Sequence, residues 1–519
     1  MDGTDADPRG DAQRIDARLL RIAGVCVLGS MMAIVDTTVV TVAQRTFVAT
    51  FHSTQAIVAW TMTGYTLALA AVIPLAGWAA DRFGTKRPFI GSLLSFTFGS
   101  LLCAMAPNIA VLIAFRVVQG LGGGMLMPLV LTILTREAGP QRLGRVLAIL
   151  GVPMLLGPVF GPVLGGWLID SFSWQWIFWI NVPIGLTTVV LAAIVLPHDE
   201  PTPSETFDVV GMLLLSPGLA AFLYGVSALP GRGTVADHHV WIPATAGLAL
   251  IIAFVLHALY RADHPLIDLR LFENRTVTLA NAAMFLFATS FFGAGLLFPS
   301  FFQELLHQRP LQAGMSLVPR GIGAMVTMPI AGALMDKRGV GRVLMVGVTL
   351  IALGMGVFAF GVALRADYLP TLVIGLAIMG LGMGATMMPL SAVAVQTLAP
   401  HQIARGSTLV NVNQQVAASI GTALMSVILT SQFNRSANIP IARQIDGLRE
   451  EAARRGVPID PLTLPAPARA PDFPINLMDD LSHAYTVVFV VAVALVALTF
   501  VPIAFLPTTP AAHDARQPN

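Results

Sequence analysis

Two charged residues lie deep inside apolar stretches of this chain, and their chemistry sets the first question. Asp36 sits in Ala33-Ile34-Val35-Asp36-Thr37-Thr38-Val39-Val40, and Arg116 in Arg116-Val117-Val118-Gln119-Gly120. An acid at membrane depth is expensive, so it is read first as part of a proton or cation path. The alternative is a structural acid paired for assembly. If the segment with Asp36 runs outward and that with Arg116 inward, the acid lies about 9 Å and the base about 12 Å below the same surface, at 1.5 Å rise per residue. The two can therefore meet. Pairing favours the carboxylate and separation favours the protonated acid, which is the physics of a proton switch.

A second set of charges sits in a short hinge, Gly77 to Arg87, between two apolar runs. It recurs as Gly332 to Arg342. Gly77, Asp81, Arg82, Gly84 and Arg87 match Gly332, Asp336, Lys337, Gly339 and Arg342 in type and spacing. Five matched positions in two distant loops mark an internal duplication. A second echo lies beyond each hinge: Gly120-Leu121-Gly122-Gly123-Gly124 through Pro128, and Gly380-Leu381-Gly382-Met383-Gly384 through Pro389. Arg116 has no counterpart in the second copy, where Gly375 to Gly380 is apolar. The scaffold glycines recur and the charge does not, so Arg116 is read as functional rather than part of the fold.

Gly157-Pro158-Val159-Phe160-Gly161-Pro162-Val163-Leu164-Gly165 puts small residues at every fourth position, on one helix face where a neighbour can come close. Its prolines bend the helix and free backbone carbonyls. Simple tight packing is the plainer account of the glycines alone. Asn411, Asn413, Gln414 and Gln415 form a polar cluster that serves equally as cavity lining or as interhelical glue. Glu304 and Arg320 lie near the ends of their segments, where a long charged side chain can snorkel or take part in transport.

These residues need membrane-spanning elements to position them. The chain is 55% hydrophobic and 11% charged, with mean hydropathy +0.76, against about 25% charged in a soluble domain. That excludes a water-soluble fold. Segments of about 20 apolar residues fall at 19–42, 56–78, 88–107, 109–133, 143–168, 176–196, 207–228, 240–260, 277–302, 312–335, 341–364, 370–394, 406–431 and 482–506. The fold class is an all-α polytopic membrane protein of fourteen helices. The duplication predicts a six-helix bundle over 19–196, two inserted helices over 207–260 and a second bundle over 277–506. Tails at 1–18 and 507–519 and a long outer loop at 432–480 complete the expected organisation.

Arginines and lysines alternate as the positive-inside rule requires. Arg82, Lys86 and Arg87, then Arg136, Arg142 and Arg145, then Lys337, Arg338 and Arg342 fall in alternate loops. Both termini are therefore expected to be cytoplasmic, in a multi-pass protein of the plasma membrane. No G-x-x-x-x-G-K-[ST] loop, H-E-x-x-H or nucleophile elbow occurs. The chain is expected to be no enzyme and to hold no metal. Cys26 and Cys103, both inside apolar runs, are read as small core hydrophobes, and His238-His239 as a solvated loop pair.

Together these motifs resemble the major facilitator superfamily, specifically its fourteen-helix drug:H+ antiporters of the EmrB/QacA type. Gly77…Asp81-Arg82…Gly84…Arg87 is similar to that family's loop signature, and Arg116…Gln119-Gly120…Gly124 to the helix signature attributed to proton coupling. Gly157-Pro158…Gly161-Pro162…Gly165 is similar to its antiporter signature. Asp36-Thr37-Thr38-Val39-Val40 is similar to the first-helix signature, with Thr41 in place of the usual Asn. Trp60…Tyr65 also fits.

The resemblance implies efflux by alternating access about a midplane cavity, with Trp60, Tyr65 and Gln119 as further candidates for its lining. It implies that Asp81, with Arg82 and Arg87, latches the inner gate, and that protonation of Asp36 is coupled to cargo release. The implied cargo is hydrophobic and plausibly cationic, balanced by Asp36. The energy source is the proton gradient, with no cofactor. The implied partners are the lipid bilayer and small hydrophobic substrates, with no nucleic acid. The chain is expected to be monomeric, and an adaptor protein stays open. So do a dedicated exporter of a metabolite, lipid or siderophore, and a transport-dead sensor or scaffold built on the outer loop.

Overall fold

The computed structural model describes residues 16–53, 55–139, 142–197, 207–232, 236–263, 265–308, 310–366, 368–399, 401–445, 448 and 465–506. Among these the chain is helical throughout, with no strand. The expected tails fall almost wholly outside them.

The first half holds α1 (Ala17–Thr50), α2 (Trp60–Val72), α3 (Leu75–Phe83), α4 (Lys86–Ala104), α5 (Ile109–Gly123), α6 (Leu126–Ala138), α7 (Leu143–Ser171) and α8 (Asn181–Val195). Then come α9 (Val209–Arg232) and α10 (His238–Tyr260). The second half holds α11 (Arg275–Glu304), α12 (Val318–Arg338), α13 (Val340–Ala363), α14 (Val373–Gly384), α15 (Met387–Gln396), α16 (Ile403–Arg435) and α17 (Phe473–Leu498). Twelve segments among the described residues are single spans long and apolar enough to cross a membrane, and α2 with α3 forms a thirteenth, bent by 50°. The helix α7, with 29 residues, also has spanning length, which is consistent with the fourteen crossings read from the sequence. Phe98, Val190, Ile194, Leu213, Ile252 and Phe360 lie exposed on the outside of the helices, a surface that only lipid satisfies.

Local chemistry explains where helices start and stop. Asp16 accepts a bond from the Leu19 amide at 2.7 Å and Asn108 one from Val111 at 3.0 Å, capping α1 and α5. The repeated second glycine of the hinge ends α3 and α12: Gly84 has φ 75° and ψ 171°, and Gly339 φ 84° and ψ 149°. A side chain is strained in that region, so the hinge keeps glycine there. The second sequence echo marks a repeated break, between α5 and α6 at Gly124 and between α14 and α15 at Ala385.

Two boundaries move. The final span begins at Phe473 rather than 482, and α16 runs on to Arg435. The loop expected over 432–480 is thus shorter. Within that loop residues 441–445 are helical, and most of the stretch from 446 to 464 lies outside the described residues. The inserted helix α9 packs on both α2 and α16, so it touches both halves of the duplication.

Candidate functional site

The buried charges of α1 and α5 meet. Arg116 donates through Nη1 to Asp36 Oδ2 at 2.6 Å, and both side chains are almost fully buried. A buried ion pair stands only if its remaining lone pairs and protons find partners. Here they do. Gln119 Nε2 and Asn181 Nδ2 each donate to Asp36 Oδ1 at 2.9 Å. Arg116 also donates to Gln119 Oε1 at 2.7 Å and, through Nε, to the Thr61 carbonyl at 3.1 Å. Asn181 donates further to Ser100 Oγ at 3.0 Å. The Tyr65 ring lies 4.1 Å below the guanidinium. Five helices, α1, α2, α4, α5 and α8, therefore meet in the network around this one carboxylate.

Sequence reasoning reached Asp36, Arg116, Gln119 and Tyr65 here but missed the part played by Asn181, Ser100 and Thr61. The available signal was one asparagine opening an otherwise apolar helix.

The glycines of α7 face the same turn of α1. A Cβ on Gly157 would run into Ile34, and one on Gly161 into Thr38 Oγ1. One on Gly165 would lie 2.9 Å from Val39 Cγ1 and 3.3 Å from the Val39 carbonyl. Thr38 also donates to the Gly157 carbonyl at 3.3 Å. The small face of α7 thus clasps the stretch that carries Asp36. The side chains of Pro158 and Pro162 lie outside the described residues.

The hinge is organised differently from its reading in the sequence. Among the described residues Asp81 pairs with Arg136 Nη2 at 3.0 Å and faces Arg405 Nε at 3.6 Å, not with Arg82 or Arg87. Arg82 is half-buried and Arg87 exposed. The reason is orientation: Asp81 points inward to the start of α16, whereas its neighbours in sequence point away. A Cβ on Gly77 would lie 3.0 Å from Thr408 Oγ1 and 3.3 Å from the Ala404 carbonyl, so α3 and α16 touch across the two halves. Lys86 Nζ donates to the carbonyls of Ala193 at 2.6 Å and Leu196 at 2.8 Å, tying the hinge to the end of α8. In the second hinge Gly332 is buried and Arg342 exposed, and the Asp336 side chain lies outside the described residues.

Loss of the carboxylate should loosen this closed end. In solubilised protein, Asp81→Asn is expected to speed maleimide labelling of a cysteine placed at Thr408 about fivefold, the population change given by ~1 kcal/mol. The native Cys26 and Cys103 are buried and stay silent. An unchanged rate would mean that the pair does not hold the end shut.

A cavity lies between the halves, lined by Met127 and Leu131 of α6, Phe287 and Phe292 of α11, and Asn411 and Gln414 of α16. Asn413 instead donates to the Asn281 carbonyl on α11 at 2.8 Å. The polar cluster is therefore both lining and glue, split by position. Gln415 is half-buried outside that lining. Trp60 does not face the cavity: its indole stacks on Tyr224 of α9 at 5.6 Å. Glu304 accepts a bond from Tyr485 Oη at 2.7 Å. Arg320 lies over Phe291 and Phe298, at 5.2 and 5.4 Å. The sequence also gave no sign that Asp208 and His257 meet, at 2.8 Å, where α9 and α10 come together.

The family model described as Major Facilitator Superfamily matches residues 26–422. The chain belongs to the Major Facilitator Superfamily. This transporter is 64% identical to a protein of Mycobacterium tuberculosis strain H37Rv named multidrug resistance protein B homolog, over 97% of this chain and 93% of that one. It is 29% identical to the multidrug export protein EmrB of Escherichia coli K12, over 80% and 81% of the two chains. Among solved structures it superposes on the human organic anion transporter MFSD10 with a TM-score of 0.59, covering 92% of this chain and 99% of that one. At 14% identity that likeness speaks for the fold alone.

Proposed function

We propose that this transporter is a proton-driven exporter of hydrophobic, drug-like molecules. The carrying observation is the buried centre around Asp36, one carboxylate held by Arg116 and Gln119 of α5 and Asn181 of α8. In the outward-open state the carboxylate takes a proton, its bond to Arg116 weakens, and α1 shifts against the glycine face of α7. Release of that proton on the other side restores the pair. Coupling of this kind needs a group whose charge changes a network spanning both gates.

The names of the two relatives support drug export as the direction and class of work. The mostly apolar cavity with a few amide groups suits amphiphilic cargo. The hinge end, shut by Asp81, Arg136 and Arg405, is the cytoplasmic end. Both termini then lie in the cytoplasm of a plasma-membrane protein acting as a monomer, with two six-helix bundles that rock about the cavity. The proton gradient supplies the energy, with no cofactor.

The test is efflux of a lipophilic fluorescent dye from everted vesicles. Collapse of the gradient by a protonophore is expected to stop it. Transport that continues unchanged without a gradient would sink the coupled reading, and a wild type that moves no dye under either condition would favour a narrower cargo.

A further inference from the structure

The duplicated halves are not electrically equivalent, and the difference lies beside the cavity. Counted back from Gly77 and Gly332, Tyr65 and Arg320 are both twelve residues upstream, and Asp36 and Phe291 are both forty-one upstream. The structure agrees with this alignment. A Cβ on Gly120 would lie 2.5 Å from the Tyr65 carbonyl, and one on the matching Gly380 would strike the Arg320 carbonyl. The first half thus stacks a tyrosine of its second span under an arginine that an acid neutralises. The second half puts an arginine at the tyrosine's place and a phenylalanine at the acid's place.

Arg320 is consequently a charge without a counter-charge. Among the described residues its side chain makes no ion pair and no hydrogen bond, only the cation–π contacts to Phe291 and Phe298. It is half-buried, so it is not sealed from a ligand. Phe291 stacks on Phe287 at 5.5 Å and meets Phe292 edge-on at 5.1 Å, and both of those rings line the cavity. The guanidinium lies one ring behind the cavity wall. Its backbone is fixed by the close crossing at Gly380. Glu304, the acid on the neighbouring α11, is already bonded to Tyr485. An arginine at membrane depth with five donors and no acceptor is stabilised by an oxyanion that brings its own charge.

We propose that Arg320 is the anion-binding residue of the transport site, and that the cargo class includes amphiphiles with one carboxylate or sulfonate on an aromatic or aliphatic body. The acid end bonds the guanidinium, and the apolar body lies along Phe287, Phe291 and Phe292 into the cavity. This deepens the efflux reading and rests on it for the direction of movement. The same oxyanion chemistry is offered by a lipid phosphate, so the test separates the two sources.

The probes are pyrenebutyrate, its neutral butanamide, and pyrenebutyltrimethylammonium, which share one apolar body. Binding is measured by fluorescence on the full-length protein in phosphatidylcholine nanodiscs, with empty discs subtracted. Wild type is expected to bind the carboxylate more tightly than the amide. Arg320→Gln should lower carboxylate affinity about tenfold or more and leave the amide within about twofold. Arg320→Lys should recover much of the loss. A variant that treats all three probes as wild type does, or a wild type that prefers the ammonium probe, would overturn the proposal. Discs that include phosphatidylglycerol distinguish the sources: if they abolish carboxylate binding in the wild type, a lipid headgroup is the occupant and the cargo assignment falls. Binding is read without a gradient. Failure of gradient-driven transport in vesicles would therefore count against the efflux reading, and failure of the binding preference against Arg320.

Discussion

Asp36→Asn is expected to abolish gradient-driven efflux, lowering it at least about a hundredfold, and to destabilise the protein as well. The amide is nearly the same shape but cannot exchange a proton. It also leaves the Arg116 guanidinium buried without a counter-charge, a loss on the order of 3–5 kcal/mol when one partner of a buried pair is removed. Lost transport alone would therefore be ambiguous. The double variant Asp36→Asn with Arg116→Gln separates the two effects. With both charges gone the desolvation penalty is gone too, and much of the stability should return. Transport should not. Thermal unfolding of the purified protein, read beside vesicle efflux, checks both. A double variant that regains gradient-dependent efflux would place coupling elsewhere.

Gly161→Val should stop transport while the chain still inserts. A Cβ at Gly161 falls on Thr38 Oγ1, two residues from Asp36, and lies 2.7 Å from the Thr38 Cβ, before the valine methyls are added. The Thr38 hydroxyl donates to backbone carbonyls of α1 and to that of Gly157, so moving it breaks those bonds. Relief requires α1 and α7 to part, which moves Asp36 off Gln119 and Asn181. Overpacking of this kind costs about 1–3 kcal/mol, enough to shift a marginal equilibrium without unfolding a bundle. Efflux is expected to fall about tenfold or more at unchanged membrane content. Gly166, whose added Cβ would meet nothing within 4 Å, is the control: Gly166→Ala should transport normally. Equal activity in both variants would show that the close crossing is packing alone.

The duplication and its consequences were legible because they depend only on spacing. Recurring glycines and charges gave the hinge, the second echo gave a helix break in each half, and matched depths let Asp36 and Arg116 be paired before any coordinates. What was not legible depends on helix rotation and on contacts between distant segments. Asn181 and Ser100 are ordinary polar residues until α4 and α8 turn them toward Asp36. The partners of Asp81 come from segments some 55 and 324 residues away, so local sequence suggested Arg82 and Arg87 instead. Trp60 was placed in the cavity because nothing in its own segment shows where α9 docks. Arg320 read as an end charge that snorkels or takes part in transport until the neighbouring phenylalanines located it.

Arg136 and Arg405 both face Asp81 among the described residues, and they are not alike. Arg136 closes α6, on the same side of the duplication as the hinge, and Lys86 anchors that hinge to the carbonyls at the end of α8. Arg405 opens α16, on the other side. Under the rocking proposed above, the Arg136 bond would ride with the carboxylate while the Arg405 contact would have to part. The first would then act as a bearing and the second as a catch. The carboxylate would then keep Arg136 beside it when Arg405 leaves. A gate built in this way would open and shut without leaving that buried carboxylate unpaired.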